Sequence, residues 1–445
     1  MASLIGDAHA VVIGSGMSGL VAAAELAQSM ARVTLIDRDA IAETPADRNG
    51  VPQSWHFHGL LAGGLEVMMK LFPGFDDDLA AAGSLRPSPE EFYAYTAEGK
   101  SYSIMRFQPE PSAPPPGFPP MYIQSRRLLE RCLRNRVEQV PNITTRYECM
   151  VRELAIDNGE IVGVIDADGK TIEADLVIDA TGRVSRTLGW LDKLGYERPE
   201  ESHIHCEFAY TSLFLRPNDP SKFTDVGFFV GTHPEGEYRN RGGALVRMED
   251  GLMLGMIAGR FGDQPPSTYE GYLEYAKTLI EPRFHELISD AEPLGDPHHF
   301  RFPKSIRRHY ERLDRFPEGL LPIGDAISHN NPVYGQGMSS AAQQAQSLGE
   351  LVSARAAAGD SLSGLWRDYF PAVYEVTRAP WLFAALADFA RPECTGDFPA
   401  EEQSSVELLM RLSELGDEGN AEAALVLANV GSLRAPLSAI HEFAG

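Results

Sequence analysis

Cysteine is scarce in this chain. The four residues at 132, 149, 206 and 394 are scattered among 445, with no CxxC pair and no metal-ligand spacing. That excludes a disulfide framework and a zinc module, and it predicts reduced, mostly buried thiols in a cytoplasmic protein. Positive charge is also short: 39 Lys and Arg face 63 Asp and Glu, a net charge of −24, and the isoelectric point is near 4.9. Nucleic acid and anionic membrane surfaces are therefore not expected as partners. Long apolar runs are missing. The most apolar late stretch, Ala379 to Ala390, holds only twelve residues and contains Asp388, too short to span a bilayer. The first strand begins by about Ala8, so no signal peptide is expected. Internal repeats and low-complexity tracts are absent as well. Hydrophobic and charged fractions of 43% and 23% are ordinary for a globular fold.

What is present centres on residues 10–37. Val11-Val12-Ile13 is a β-branched run suited to a strand buried on both faces. Gly14-Ser15-Gly16-Met17-Ser18-Gly19 follows, then an Ala- and Leu-rich helix, then Val33 to Ile36 ending in Asp37. Strand, glycine turn, helix, strand and acid make the dinucleotide-binding βαβ unit. The glycines give a tight turn, room for a pyrophosphate and close helix–strand packing. The helix N-terminus offers free N–H groups, and Asp37 can take ribose hydroxyls. A glycine turn that binds nothing is the bland alternative; the full context argues against it. No other GxGxxG exists, so no separate NADPH domain is expected.

Further along, Leu60 to Phe72 reads as a helix ended by Pro73-Gly74, and Glu91 to Arg106 as paired strands. Seven prolines between 108 and 121 forbid regular structure there, leaving a stiff connector or a wall of a substrate entrance. Tyr122 to Val140 reads as a helix, and Thr144 to Asp166 as strands turning at Asp157-Asn158-Gly159. A buried strand runs into Asp179-Ala180-Thr181-Gly182. Residues 203–260 read as an inserted antiparallel sheet. Gly324-Asp325 and the helix start at Pro332 to Met338 form a third signal, and 361–445 is helical and acidic.

One fingerprint cannot tell NAD from FAD, but three in this order resemble the FAD-dependent monooxygenases of the para-hydroxybenzoate hydroxylase type over roughly residues 8–350. The resemblance implies an α/β fold: a glutathione-reductase-type FAD-binding domain in three parts (1–90, 122–190, 306–360), a mixed-sheet substrate domain (91–121, 191–305) and a helical C-terminal region (361–445). It carries cofactor contacts onto Gly14, Ser15, Gly16, Ser18, Gly19, Asp37, Arg38, Arg48, Gln53 and His56. Arg126 would touch the cofactor from its helix start, Met150 and Val151 would flank the adenine, and Thr181 and Gly182 would follow. Gly324 and Asp325 would bind the ribityl or pyrophosphate region. Pro332, Gly335, Gly337 and Met338 would run under the flavin ring, where a helix N-terminus stabilises negative charge. A solvated helix-end charge is the bland alternative for Arg126, and a plain turn for Gly335 and Gly337.

A narrower resemblance, at Arg48 to Gln53, His56-Phe57-His58 with Leu60-Leu61, Asn331 to Ser339 and the late pattern Pro380-Trp381 … Asp388 … Arg391-Pro392, is to the flavin epoxidases of polyether and polyketide biosynthesis. Ser328-His329-Asn330 departs from it in being polar. The implied chemistry is transfer of one oxygen atom from a C4a-hydroperoxyflavin to an alkene, with electrons from NAD(P)H directly or through a flavin reductase. O2 and an apolar small molecule are the substrates. His56 and His58 have strand spacing that would put both on one face; a structural hydrogen bond or flavin contact suits them, and no third ligand supports a metal. Phe208, Tyr210 and Phe214 share one strand face with Cys206 and Ser212, and Phe228, Met253 and Met256 fall on neighbouring strands. Packing is the alternative to a pocket for this stripe. The expected substrate contacts are Phe208, Tyr210, Phe214, Phe228, Met253 and Tyr334, with His56 and Tyr210 the catalytic candidates. Aromatic hydroxylation uses the same intermediate. A halogenase would need a Trp-x-Trp-x-Ile-Pro motif, which is absent, and Lys70 is the nearest candidate lysine. A non-catalytic lipid binder on this fold would have lost the Gly335-Gln336-Gly337 run.

Overall fold

The computed structural model describes residues 5–42, 48, 50–88, 91–97, 99–101 and 121–444. The proline-rich stretch 108–120 lies outside the described residues.

The first strand, His9–Ile13, is buried along its whole length. It is the centre of a five-stranded parallel sheet, ordered Leu320–Pro322, Leu176–Asp179, His9–Ile13, Arg32–Ile36, Ile143–Arg146. Parallel strands put their carboxyl ends on one edge. The glycine turn, the Asp179 to Gly182 turn and Gly324-Asp325 therefore meet there, where open α/β sheets bind ligands. The helix Met17–Ala27 crosses Gly337–Ala358 closely; a Cβ on Gly349 would lie 2.5 Å from Glu25 Oε2. A three-stranded meander, Val151–Asp157, Glu160–Asp166 and Thr171–Glu173, turns at Asn158-Gly159 as expected.

Residues 201–308 build most of a ten-stranded sheet around one long strand, Glu201–Pro217. The strand Phe92–Thr96 and the hairpin partner Gly99–Ser101 complete its edge. Strand alternation sends Leu213, Leu215, Phe228 and Met253 toward the helices Tyr269–Ala276 and Pro282–Ser289. Cys206, Phe208, Tyr210, Phe214 and Met256 point to the other face. Phe228 and Met253, expected at the substrate, thus pack in a core on the opposite side of the sheet.

Two expected elements change. Tyr122 to Val140 is a two-residue strand, Tyr122–Ile123, followed by the helix Arg126–Val137, whose N-cap Ser125 accepts from Leu128 N. His56 to His58 lies between a 3-10 turn, Pro52–Trp55, and the short strand Gly59–Leu60, not within a strand. The helix Leu365–Phe389 leads into three shorter ones that form their own apolar core. That unit docks back on the first domain: Gly63 N donates to Ser432 O at 3.0 Å, and Gln336 Nε2 to Gly431 O at 3.1 Å. Among the described residues no helix is long and apolar enough to cross a membrane.

Candidate functional site

A single cavity of about 1470 Å³ runs from the glycine turn to the inserted sheet. At its nucleotide end Gly14 takes a left-handed φ of 99°, and a Cβ there would meet Ala180 O at 2.7 Å. A Cβ on Gly19 would lie 1.8 Å from Gly14 O, so the turn closes only with glycine. Ser15 Oγ and N both donate to Asp37 Oδ2, at 2.5 and 2.7 Å. Arg48 Nη1 reaches the same oxygen at 3.1 Å. Burial would raise the Asp37 pKa, but Arg48 and these hydrogen bonds outweigh it and hold the carboxyl below its usual range.

Arg48 continues to Glu130 at 2.7 Å, and Glu130 receives Arg126 Nε at 2.7 Å. Both guanidiniums line the cavity, while Glu130 sits behind them. Glu130 is a site residue the sequence did not single out; its spacing of four from Arg126 was the available signal. Asp179 is sealed by Thr181, Ser185 and Thr187, which shapes the turn that brings Thr181 and Gly182 to the cavity wall. Arg38, Gln53, Met150, Val151, Ser18 and Asp325 line the same end. Ser15, Gly19 and Gly324 do not; they pack the turns behind it. A Cβ on Gly324 would touch Ser18 at 3.0 Å.

The chain's residues fit an FAD. Ideal Cβ positions on Gly16, Gly335 and Gly337 meet nothing within 4 Å, leaving backbone open to the cavity. The helices starting at Met17 and Gly337 lack side-chain caps, so their first N–H groups are available to an anion. Gln336 Oε1 is buried without a partner among the described residues. Pro332, Gly335, Gly337 and Met338 all border the cavity.

At the sheet end, Phe208, Tyr210 and Tyr334 line the wall with Met256 and Phe300. Phe214 shares their sheet face but lies beyond the cavity, against Trp55 and under Arg127. The two histidines part company. His56 is buried behind the wall, its Nδ1 sharing a 2.8 Å hydrogen bond with Ser212 Oγ and its ring edge-on to Tyr210 at 4.4 Å. Burial pushes its pKa down to about 3. His58 does line the cavity. Its Nδ1–H donates to His56 O at 2.8 Å, leaving Nε2 as an acceptor, and burial then Arg126 push its pKa down to about 4. Both imidazoles are neutral at physiological pH, and one-face placement of the pair fails because their loop is not a strand.

A second network joins residues far apart in the chain. Asp388, fully buried on the C-terminal helix, accepts from Arg260 Nη1 at 2.7 Å, Tyr334 OH at 2.6 Å and Asn331 Nδ2 at 3.0 Å. Burial would weaken the Arg260 charge, but Tyr334 and Asp388 more than restore it. The ten-stranded sheet, the turn at residues 331–334 and the helix Leu365–Phe389 are tied at one carboxylate. The sequence singled out Asp388 in the late pattern and Asn331 and Tyr334 in the glycine-rich turn, but not Arg260 and not that these residues meet. Lys70 lies on the outer surface, paired with Glu350 and away from the cavity.

The family described as FAD binding domain matches residues 7–363. Protein Rv3254 of Mycobacterium tuberculosis is 33% identical over 408 residues, covering 87% of this chain and 82% of that protein. The 6-methylpretetramide 4-monooxygenase of Streptomyces rimosus is 24% identical over 349 residues, covering 75% and 72%. The solved tetrameric form of 2-methyl-3-hydroxypyridine-5-carboxylic acid oxygenase has the same fold, with a TM-score of 0.63 at 19% identity over 96% of this chain and 98% of that one.

Proposed function

Because the chain belongs to the FAD binding domain family, the flavin-dependent monooxygenases of the para-hydroxybenzoate hydroxylase fold, we propose that it oxidises an alkene of an apolar, polyketide- or terpene-like substrate to an epoxide. Electrons come from NAD(P)H, directly or through a flavin reductase. When bound, FAD supplies the activation of O2 and the transfer of one oxygen atom. The chain's own residues bind, orient and exclude water. With FAD bound, Arg48 and Arg126 would hold the diphosphate, Asp37 would take the ribose, and the open N–H groups at Gly337 and Met338 would stabilise negative charge on the flavin. Phe208, Tyr210 and Met256 offer an apolar wall that keeps the reacting site dry.

One observation carries the choice of an alkene. Among the described lining residues the only carboxylates are Asp37 and Asp325, both at the nucleotide end. The sheet end therefore has no carboxylate to deprotonate a phenol; burial lowers the pKa of the two histidines that line the cavity, His58 and His329, which makes them weak bases, and keeps the Tyr210 phenol protonated. A neutral alkene needs shape and dryness, which this wall provides; a phenol needs a base or strong acceptor. The Lys70 position also argues against a halogenase. The test is product formed per O2 consumed, with product mass, on an apolar polyene and on a phenol. Epoxide formed with tight coupling is expected; turnover of the phenol alone overturns the assignment.

A further inference from the structure

Four guanidiniums that line the cavity, Arg86, Arg183, Arg186 and Arg391, have no ion pair among the described residues; the first three are exposed, and Arg391 is the half-buried one. Arg391 follows the C-terminal helix and lines the cavity, half-buried, beside Thr232 and Asn240. Its hydrogen bonds all go to neutral groups: Nη2 to Thr232 Oγ1 at 3.1 Å, and Nη1 to Asn240 Oδ1 at 3.4 Å and Arg239 O at 3.5 Å. The acids in its field are already taken. Asp388 belongs to Arg260, Asn331 and Tyr334, and Glu393 is paired with Arg239. Arg260, with its own counter-charge, adds positive potential from the same side, and burial opposes the Arg391 charge. No acceptor among the described residues meets Nε, and Nη2 keeps one N–H after serving Thr232. Those two donors form a planar fork, the shape that receives both oxygens of a carboxylate. In a chain of net charge −24, a half-buried guanidinium with no carboxylate partner among the described residues is suited to an anion brought in by a ligand.

We infer that Arg391 binds a carboxylate of the substrate, so that the substrate is an amphiphilic acid. Its apolar body lies along the Phe208 and Met256 wall, and its acid end is held at Thr232, Asn240 and Arg391. This rests on the proposed apolar-substrate monooxygenase. It adds direction: the acid end fixes which alkene of an extended substrate lies at the flavin-facing turn. Arg391 is a specificity residue, not a group that touches the reacting atoms.

Binding of acid–ester pairs to the FAD-loaded protein tests this without turnover. The probes are linoleic acid with methyl linoleate, and 1-pyrenebutyric acid with its methyl ester, measured by calorimetry or fluorescence. A charge-assisted pair predicts that the acid of at least one pair binds roughly tenfold or more tightly than its ester. Arg391→Gln, which keeps a donor for Thr232 and Asn240, should erase that ratio while leaving ester affinity unchanged; the retained ester binding also shows that the variant is folded. Arg391→Lys should keep part of the preference. Equal binding of acid and ester in both pairs, or equal loss of both in Arg391→Gln, overturns the carboxylate assignment and leaves the apolar-substrate proposal intact. No binding of any probe by the wild-type holoprotein overturns both.

Discussion

Asp37 does two jobs with one carboxylate. Oδ2 is consumed by Ser15 and Arg48, which hold the glycine turn, while among the described residues Oδ1 meets only the Asp39 N–H, at 2.9 Å. Asp37→Ala should therefore cost about 1.5–3 kcal/mol in FAD binding, read as flavin lost on dialysis. Full occupancy after dialysis would show that Asp37 is not the ribose ligand. At the other end, Tyr210→Phe removes only a hydroxyl from a ring held by His56 and Phe300, so an epoxidase should lose little rate. Phe208→Ala opens the wall, and hydrogen peroxide released per O2 consumed should rise as water enters. Collapse of turnover in Tyr210→Phe with tight coupling in Phe208→Ala would sink the alkene assignment.

Between the helices Met17–Ala27 and Gly337–Ala358 lies Glu25, 6% exposed and pushed up by burial to about 7. Its folded pKa exceeds the unfolded one, so the folded chain holds the proton more tightly. That contribution is complete below an ordinary carboxyl value of 4.5 and is lost as pH rises through about 7. Glu25→Gln should be more stable than wild type at pH 8, by about 2–3 kcal/mol, with the gap closing toward pH 5. Thermal or urea unfolding at the two pH values measures it; a pH-independent gap would refute the burial cause. The glycine turn yields a contrasting pair. Gly19→Ala must displace Gly14 O and should unfold or loosen the turn, whereas Gly16→Val has free space and ordinary backbone angles. The second variant should fold normally yet fail to retain flavin.

At the scale of the molecule, Asp388 is where three units meet. Asp388→Asn leaves the Arg260 guanidinium buried without its counter-charge, and the expected loss is about 3 kcal/mol of stability. Oxygen consumption should also uncouple from product, because the C-terminal helices stop bracing the flavin-facing turn. Unchanged melting and coupling in that variant would show that the C-terminal unit acts independently of the cavity. The net charge of −24 further predicts no sedimentation with anionic liposomes at physiological salt; co-sedimentation would make the C-terminal helices an interfacial anchor.

The sequence by itself determined the nucleotide half of the protein. Its signals are local: each of Gly14 to Gly19, Asp179 to Gly182 and Gly324-Asp325 is a strand end followed by a turn whose backbone geometry demands those residue types. Parallel pairing then has to bring strand ends to one edge. The substrate half was less legible because period-two alternation says which residues share a face, not which face has a partner. Phe208 and Phe228 read alike along the chain, yet the helices Tyr269–Ala276 and Pro282–Ser289 cover one face and the cavity opens on the other. His56 and His58 have strand spacing, but their loop is not a strand, and only His58 lines the cavity while His56 is buried behind its wall on Ser212. Tertiary structure alone decided the contacts of high sequence separation: Glu130 behind Arg48 and Arg126, Asp388 on Arg260 and Tyr334, and Arg391 in the wall with no acid of its own. Such pairings leave no periodic trace, because the energy of a buried charge depends on what the fold carries to it from elsewhere in the chain.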